Sequence, residues 1–393
     1  MAKISPVQFS DGRIYTTHTG SLPRPQRLKQ LYIDRSRGQK VDPVELLSES
    51  RAALRWVVPK QIEAGIDVVN DGEQQRDQFF RYIQRRLSGF GGSWNRNVFA
   101  DLIDFPEFKI MEERIIGKEV VSHNEGLPKA IAEVRYTDDS AIKYECAEFR
   151  SVLDEIPGKF TGSFMTAPSP GLVARGMKNE HYDNEESYLK ALGEAFRVEY
   201  EAIIDSGFIL QIDAPDLALE RHVTYQDRPL DEFLAFVERV VSTINHALRN
   251  IPKEKVRMHV CWGNYEGPHS RDVELVQILP LIRKAKVGAF VLPFGNGRHA
   301  HEYRCFEAFP LDDDQVIVAG VIDSLTNFIE HPEAVADRIE RISAVIGDPR
   351  RVIAGTDCGF ETSTGRRRVA DDIVWAKLRS LTAGARIASE RLF

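Results

Sequence analysis

Along most of the chain, short runs of β-branched and aromatic residues alternate with longer stretches whose apolar positions recur with helical period. The short runs predict eight strands. They are RIYTTHTG (13–20), IDVVND (66–71), KFTGSFM (159–165), FILQIDAP (208–215), VRMHVCW (256–262), GAFVLPF (288–294), QVIVAGVI (315–322) and RVIAGTDC (351–358). Two of the intervening helices are plain. In 185–206, Tyr188, Leu192, Ala195, Glu199 and Ile203 mark one face. In 230–248, Leu230, Phe233, Leu234, Val237, Val241, Ile244 and Leu248 mark another. A glycine just ahead of the next strand, in EAGIDVV and DSGFILQ, signals a helix C-terminus.

Eight strands with helices between them predict an α/β fold, a (β/α)₈ TIM barrel. With no second compositional regime, residues 1–393 read as one domain. An open doubly wound sheet is the competing architecture, but no Gly-rich dinucleotide loop follows the first strand. Residues 87–150 break the rhythm. Trp94, DLIDFPEF and the alternating KAIAEVRYTD predict an inserted, irregular excursion with a β-hairpin between the second and third strands.

Composition narrows the function. The chain of 393 residues is 42% hydrophobic, enough for a large core, and its net charge of −7 argues against nucleic acid as a partner. The basic clusters Arg85–Arg86 and Arg366–Arg368 read as solvated faces. MAKISPVQFSDGR has no apolar leader core and no stretch is long enough to span a membrane, so a cytoplasmic location is the default. The four cysteines, Cys146, Cys261, Cys305 and Cys358, are too few for a disulfide framework. In a reducing compartment, thiols gathered at one place are metal ligands or nucleophiles.

Barrel chemistry sits at the C-terminal ends of the strands. Here the first strand ends with His18, Gly20 and Ser21, the second with Asp71 and Glu73, and the fourth with Gln211, Asp213 and Asp216. The fifth ends with His259 and Cys261, the seventh with Asp323 and Ser324, the eighth with Asp357 and Cys358. Any one of these could be a turn or a helix cap; six together are harder to explain that way. His259 and Cys261, at i and i+2, share one face of their strand, and a closed barrel would bring Cys358 across to them. Zinc favours this mixture of sulfur and imidazole, and three protein ligands leave a position free. The competing reading is a buried cysteine and a core histidine with no common role; Cys146 and Cys305 lack such partners. A zinc with a free position could acidify water or hold a substrate thiol as thiolate, and thiolate ligands, which weaken its Lewis acidity, favour the second use.

The motifs HTGSLPRP, IDVVNDGEQQRD, LQIDAPDLAL, MHVCWGNYEGPH and GTDCGFETS, taken in order, resemble the catalytic domain of the cobalamin-independent methionine synthases. They are closer still to the short stand-alone members of that superfamily, among them the epoxyalkane–coenzyme M transferases. The resemblance implies a (β/α)₈ barrel, a Zn2+ ion on His259, Cys261 and Cys358, and alkyl transfer from a donor to a zinc-bound thiol. It implies that Gly20 and Ser21 hold a substrate carboxylate and that Glu73 and Asp213 bind its amino group. Gln211, on the same strand end as Asp213, joins the substrate-binding set. His18 and Asp323 are the candidates for protonating the leaving group, with a helix N-cap as the competing role for Asp323.

The departures bear on the substrate. Pro293 stands where many relatives have a zinc-ligating glutamate, which leaves the fourth position to water, substrate, or His299, His301 or Glu302. The seventh strand leads into GVIDSLTNF in place of a catalytic histidine, and the tryptophan that stacks on folate has no counterpart in MTAPSPG. The separate N-terminal half of the long methionine synthases has no counterpart either. Methyl transfer to an amino-acid thiol is the leading expectation, because Glu73 and Asp213 complement an ammonium group; epoxide opening by a thiol competes with it. Outside this class stand a zinc hydrolase or lyase and a ligand-binding relative without chemistry. Association into a homo-oligomer is left open.

Overall fold

The computed structural model describes residues 10–97, 99–116, 120–122, 124–366 and 368–393. The start of the segment read for a leader (1–9) and Arg367 of the basic cluster lie outside the described residues.

In chain order the strands are β1 (Tyr15–Thr16), β2 (Val68–Asn70), β3 (Phe90–Trp94), β4 (Leu127–Ala130), β5 (Gly162–Pro168), β6 (Ile209–Asp213), β7 (Val256–His259), β8 (Ala289–Pro293), β9 (Val316–Ile322) and β10 (Val352–Thr356). Eight of them pair in parallel in the order β1-β10-β9-β8-β7-β6-β5-β2. A further parallel bridge, Thr17 to Val68, joins the two ends of that order. The ring is therefore closed, and the fold is a (β/α)₈ barrel, as the alternation of runs predicts.

The strands are buried on both faces, which explains their continuous apolar runs. On β8, Phe290 and Leu292 pack outward with the main core, while Ala289 and Val291 face the barrel interior with Val316, Val318 and Ile353. The inner face changes character along the strands. Phe164 and Ile209 pack with Val68 low in the barrel, and the next inner positions, Thr166, Gln211 and Arg257, are polar and fully buried. The strand tops are polar because the interior there is a site rather than a core.

The two predicted helices are present as Glu185–Asp205, capped by the Asn184 side chain on the Ser187 amide, and Leu230–Ala247. The second buries Phe233, Val237, Val241 and Ile244, each such side chain stabilising by about 1.5–3 kcal/mol. Glu199, on the apolar face of the first helix, is satisfied there by Tyr82, Tyr136 and Arg86. No helix of the described residues is long and apolar enough to cross a membrane.

The excursion between β2 and β5 holds the predicted antiparallel pair, joined by a long connection. Phe90–Trp94 pairs with Leu127–Ala130, and two helices, Ala100–Asp104 and Pro106–Ile116, lie in the connection. The alternating segment leaves the ladder at Ala130. There the Gly89 carbonyl takes both the Ile131 and Ala132 amides, and only an isolated bridge, Leu87 to Tyr136, continues the pairing.

Candidate active site

β7 and the segment after it carry Arg257, His259 and Cys261 on the inner face. β10 delivers Cys358 through an irregularity of register between Gly355 and Thr356 that re-aims its end. One donor atom from each of His259, Cys261 and Cys358 lies within 4.8 Å of the others, and all three residues are buried. Cys358 Sγ is 3.7 Å from His259 Nε2, while His259 Nδ1 faces the Val291 carbonyl at 3.3 Å. That carbonyl favours a proton on Nδ1 and leaves the Nε2 lone pair toward the sulfurs, the usual outer support of a metal-bound imidazole. A hydrogen bond from Cys358 draws the Cys261 thiol well below its ordinary range, helped by His259 and opposed by burial. Cys358 is pushed up in turn, by that same bond and by burial. The donor set therefore fits zinc.

His299, His301 and Glu302 do not join this group among the described residues. His299 and Glu302 are bonded to each other, and His301 is exposed. Cys146 lies in the core, its thiol pushed up to about 12 mainly by burial, and Cys305 is half-buried. All four cysteines are free.

The three donors share a cavity of about 760 Å³ with Ser21, Glu73 and Asp213. Asp213 is the register partner of His259, so one turn of the barrel wall joins carboxylate to imidazole. Gln211 Nε2 donates to Asp213 Oδ1 at 2.7 Å and to the Thr19 carbonyl, while its Oε1 accepts from Arg257. Gln211 thus lies beneath Asp213 and orients it. Glu73 sits in the left-handed region, at φ 56°, where the Asp71 side chain takes its amide and Arg24 donates to its carbonyl. Its Oε1 accepts from Thr166, and its buried Oε2 has no hydrogen-bond partner among the described residues. Burial first, then the charge of Asp213, raises the Glu73 carboxyl to about 8; burial also raises Asp213 to about 6. Two buried carboxylates facing one cavity in this state lack a cation between them.

Gly20, at φ 141°, brings the chain against Glu73: a Cβ there would lie 2.8 Å from Glu73 Oε1 and 3.0 Å from Thr166 Cγ2. The Ser21 hydroxyl is buried without a hydrogen-bond partner among the described residues. His18 lies behind this turn and is not part of the cavity wall. Its Nδ1 accepts from the Gly20 amide and its Nε2 contacts Gln61 Oε1 at 2.8 Å, while burial lowers its pKa to about 4. The ring is neutral near pH 7 with its N–H committed to Gln61, which removes it from the reach of a leaving group.

Asp323 closes a turn, accepting from the Leu325 amide and the Thr326 hydroxyl; the next helix, Pro332–Ile346, is capped by His331. The N-cap reading of Asp323 is therefore replaced by this turn. Asp323 lines a second cavity, of about 670 Å³, together with Asp357, Cys261 and Cys358. Burial, then the charge of Asp323, raises Asp357 to about 7.

Several residues of the site are not among those picked out in the sequence. Arg257, buried in the barrel, donates to Gln211, Thr17 and the His18 carbonyl. Its signal is parity, since it lies two residues before His259. Arg96, Phe99 and Asn124 reach the first cavity, the one lined by Glu73 and Asp213, from the excursion, and only the fold brings them there.

No family model matches the chain. It is 25% identical to a methionine synthase of Sulfolobus acidocaldarius over 383 residues, 96% of this chain and 93% of that protein. It is 24% identical to a methionine synthase of Saccharolobus solfataricus over 382 residues, again 96% of this chain. Among solved structures it is similar to a B12-independent methionine synthase from Shewanella sp. W3-18-1 in complex with selenomethionine, at 19% identity and TM-score 0.71, covering 97% of this chain and 99% of that one. It is also similar to a putative B12-independent methionine synthase from Listeria monocytogenes, at 21% identity and TM-score 0.64, covering 96% and 98%. The solved structures share the barrel from end to end, and the resemblance to the cobalamin-independent methionine synthases read from the strand-end motifs stands.

Proposed function

We propose that the chain is a zinc-dependent methyltransferase that alkylates a small amino-acid thiol, in the manner of a methionine synthase. One observation carries this reading: two buried carboxylates short of a cation and a buried His/Cys/Cys group face the same cavity. A ligand with an ammonium at one end and a thiol at the other satisfies both. Homocysteine has that form, and its carboxylate meets the unpaired Ser21 hydroxyl at the Gly20 turn. The Shewanella structure is a complex with selenomethionine, an amino acid of the shape of the proposed product.

His259, Cys261 and Cys358 would hold the zinc, which as a Lewis acid lowers the pKa of a coordinated thiol so that it is presented as a thiolate. The rest falls to the chain. Glu73 and Asp213 fix the ammonium, Gln211 and Arg257 hold Asp213 in place, and Phe79, Phe80 and Phe99 exclude water from the apolar wall. As the substrate sulfur bonds to the methyl carbon, the donor's bond to that carbon breaks and its leaving atom takes a proton. Asp357, at the cavity wall, supplies it, since burial and then the charge of Asp323 raise its carboxyl to about 7; Asp323 supports it there. His18 acts through Gly20 as a positioning residue. The same proposal treats residues 1–393 as one domain whose excursion walls the cavity, in a reducing, cytoplasmic setting.

The test is turnover of the zinc-loaded protein with homocysteine and a pterin-class donor carrying an isotopically labelled methyl group, read by mass spectrometry. Labelled methionine is expected, and none from Cys261→Ser. Product from a small epoxide but not from the methyl donor would replace methyl transfer with ring opening. Turnover without a thiol would place the chain among hydrolases or lyases, and no turnover with any donor would overturn the proposal.

A further inference from the structure

A second cluster lies beside the His/Cys/Cys group. The loop after β7 supplies His269 and Asp272, the turn after β8 supplies His299, and a donor atom of each lies within 4.8 Å of the others. Asp272 Oδ2 is 2.8 Å from His269 Nδ1 and 2.9 Å from His299 Nε2. The outer nitrogens of both rings also face acceptors. His299 Nδ1 is 2.8 Å from Glu302 Oε2, and His269 Nε2 is 3.1 Å from the Tyr265 carbonyl.

A neutral imidazole has one N–H and one lone pair. If the outer acceptors take the N–H groups, two lone pairs and a carboxylate oxygen converge at under 3 Å. That is repulsive unless positive charge sits among them, as a proton on each ring or as one cation. Outer acceptors that orient the rings and leave the inner lone pairs convergent are the support metal-bound histidines receive. A third ring adds an independent sign. His222 is 1% exposed, and its Nδ1 lies 2.8 Å from the other oxygen of Asp272. Beyond that contact, neither its nitrogens nor that oxygen has a hydrogen-bond partner among the described residues.

We propose that His269, Asp272 and His299 bind a first-row divalent metal ion of the zinc class through two nitrogens and one oxygen, at a site distinct from the sulfur-containing group. Without a thiolate the set disfavours copper(I), and it suits zinc, cobalt or iron(II). His269 and His299 line the cavity that Cys261 and Cys358 also line, so a free coordination position there would accept water or an anionic oxygen.

The test uses the full chain, stripped with a chelator and reconstituted with cobalt(II) or zinc. The proposal stands apart from the methyl-transfer reading because activity is not the readout. Cys261→Ser/Cys358→Ser is expected to retain about one ion per chain, with weak ligand-field bands and no sulfur-to-cobalt charge transfer. Adding Asp272→Asn should remove that ion. If the cysteine variant does not fold, His269→Gln in the otherwise native chain is expected to lose one of about two ions while keeping the charge-transfer band. A folded cysteine variant that holds no metal, or a His269→Gln protein with undiminished content, overturns the site and leaves a network of imidazolium rings on Asp272 and Glu302.

Discussion

Glu73→Gln changes one atom of the ammonium pocket and removes one charge. In the free protein the Glu73 carboxyl is raised from 4.5 to about 8, by burial and then by Asp213. A carboxyl raised on folding contributes stability that is full below its unfolded pKa and is lost as pH rises through its folded pKa. The window here runs from 4.5 to about 8. At about 1.4 kcal/mol per unit, wild type loses on the order of 3 kcal/mol through this group between about pH 5 and about pH 8. Glutamine is neutral throughout, keeps an oxygen for Thr166, and can turn its amide toward Asp213. Relative to wild type the variant should therefore gain roughly 3 kcal/mol across that interval. The same change leaves an ammonium with Asp213 alone, weakening thiol binding by about 10–100-fold, as for loss of a hydrogen bond to a charged group. Urea titrations at the two pH values, with both proteins in the same metal state, measure the first effect, and calorimetry with homocysteine the second. Unfolding midpoints that move in parallel with pH would count against a carboxyl raised by folding, and an unchanged thiol affinity against its place in the ammonium pocket.

Gly20→Ala forces a Cβ against Glu73 and Thr166 at a backbone angle that side chains avoid, and should cost about 1–3 kcal/mol together with thiol affinity. A stable variant that binds thiol normally would show the turn to be slack. Arg257→Met strips a donor from Gln211, Thr17 and the His18 carbonyl and should destabilise by about 1–3 kcal/mol in denaturation, as when buried acceptors are left unsatisfied. Asp101→Ala removes the acceptor shared by the Tyr265 hydroxyl and the His269 amide, and should cost about 1–3 kcal/mol. It should also speed proteolysis in the excursion before the barrel; equal protection of both would contradict this.

The barrel was legible because its strands are buried on both faces and stand as apolar runs. The ends were less so. The predicted strand 13–20 pairs as a ladder only over Tyr15–Thr16; Thr17 continues it as a single bridge to Val68, and Thr19 bonds to Thr356 through its side chain. Parity on one strand joined His259 to Cys261, and the same parity pointed to Arg257. The candidates for a fourth ligand failed for a tertiary reason: Asp272, 27 residues before His299, holds that ring. His18 followed the motif into the site region, yet its surroundings, Gln61 above all, make it a support. The excursion's contribution to the cavity, through Arg96, Phe99 and Asn124, carries no local signal at all.

The proposed chemistry requires that His259, Cys261 and Cys358 hold a metal to which a substrate thiol is added. Cadmium NMR of the metal-substituted protein tests it most directly, because the shift reports the number of sulfur ligands and resolves separate sites. A resonance in the thiolate range is expected, absent from Cys261→Ser and moving toward higher sulfur content when homocysteine is added. A resonance indifferent to homocysteine, or one that survives loss of Cys261 unchanged, would contradict it.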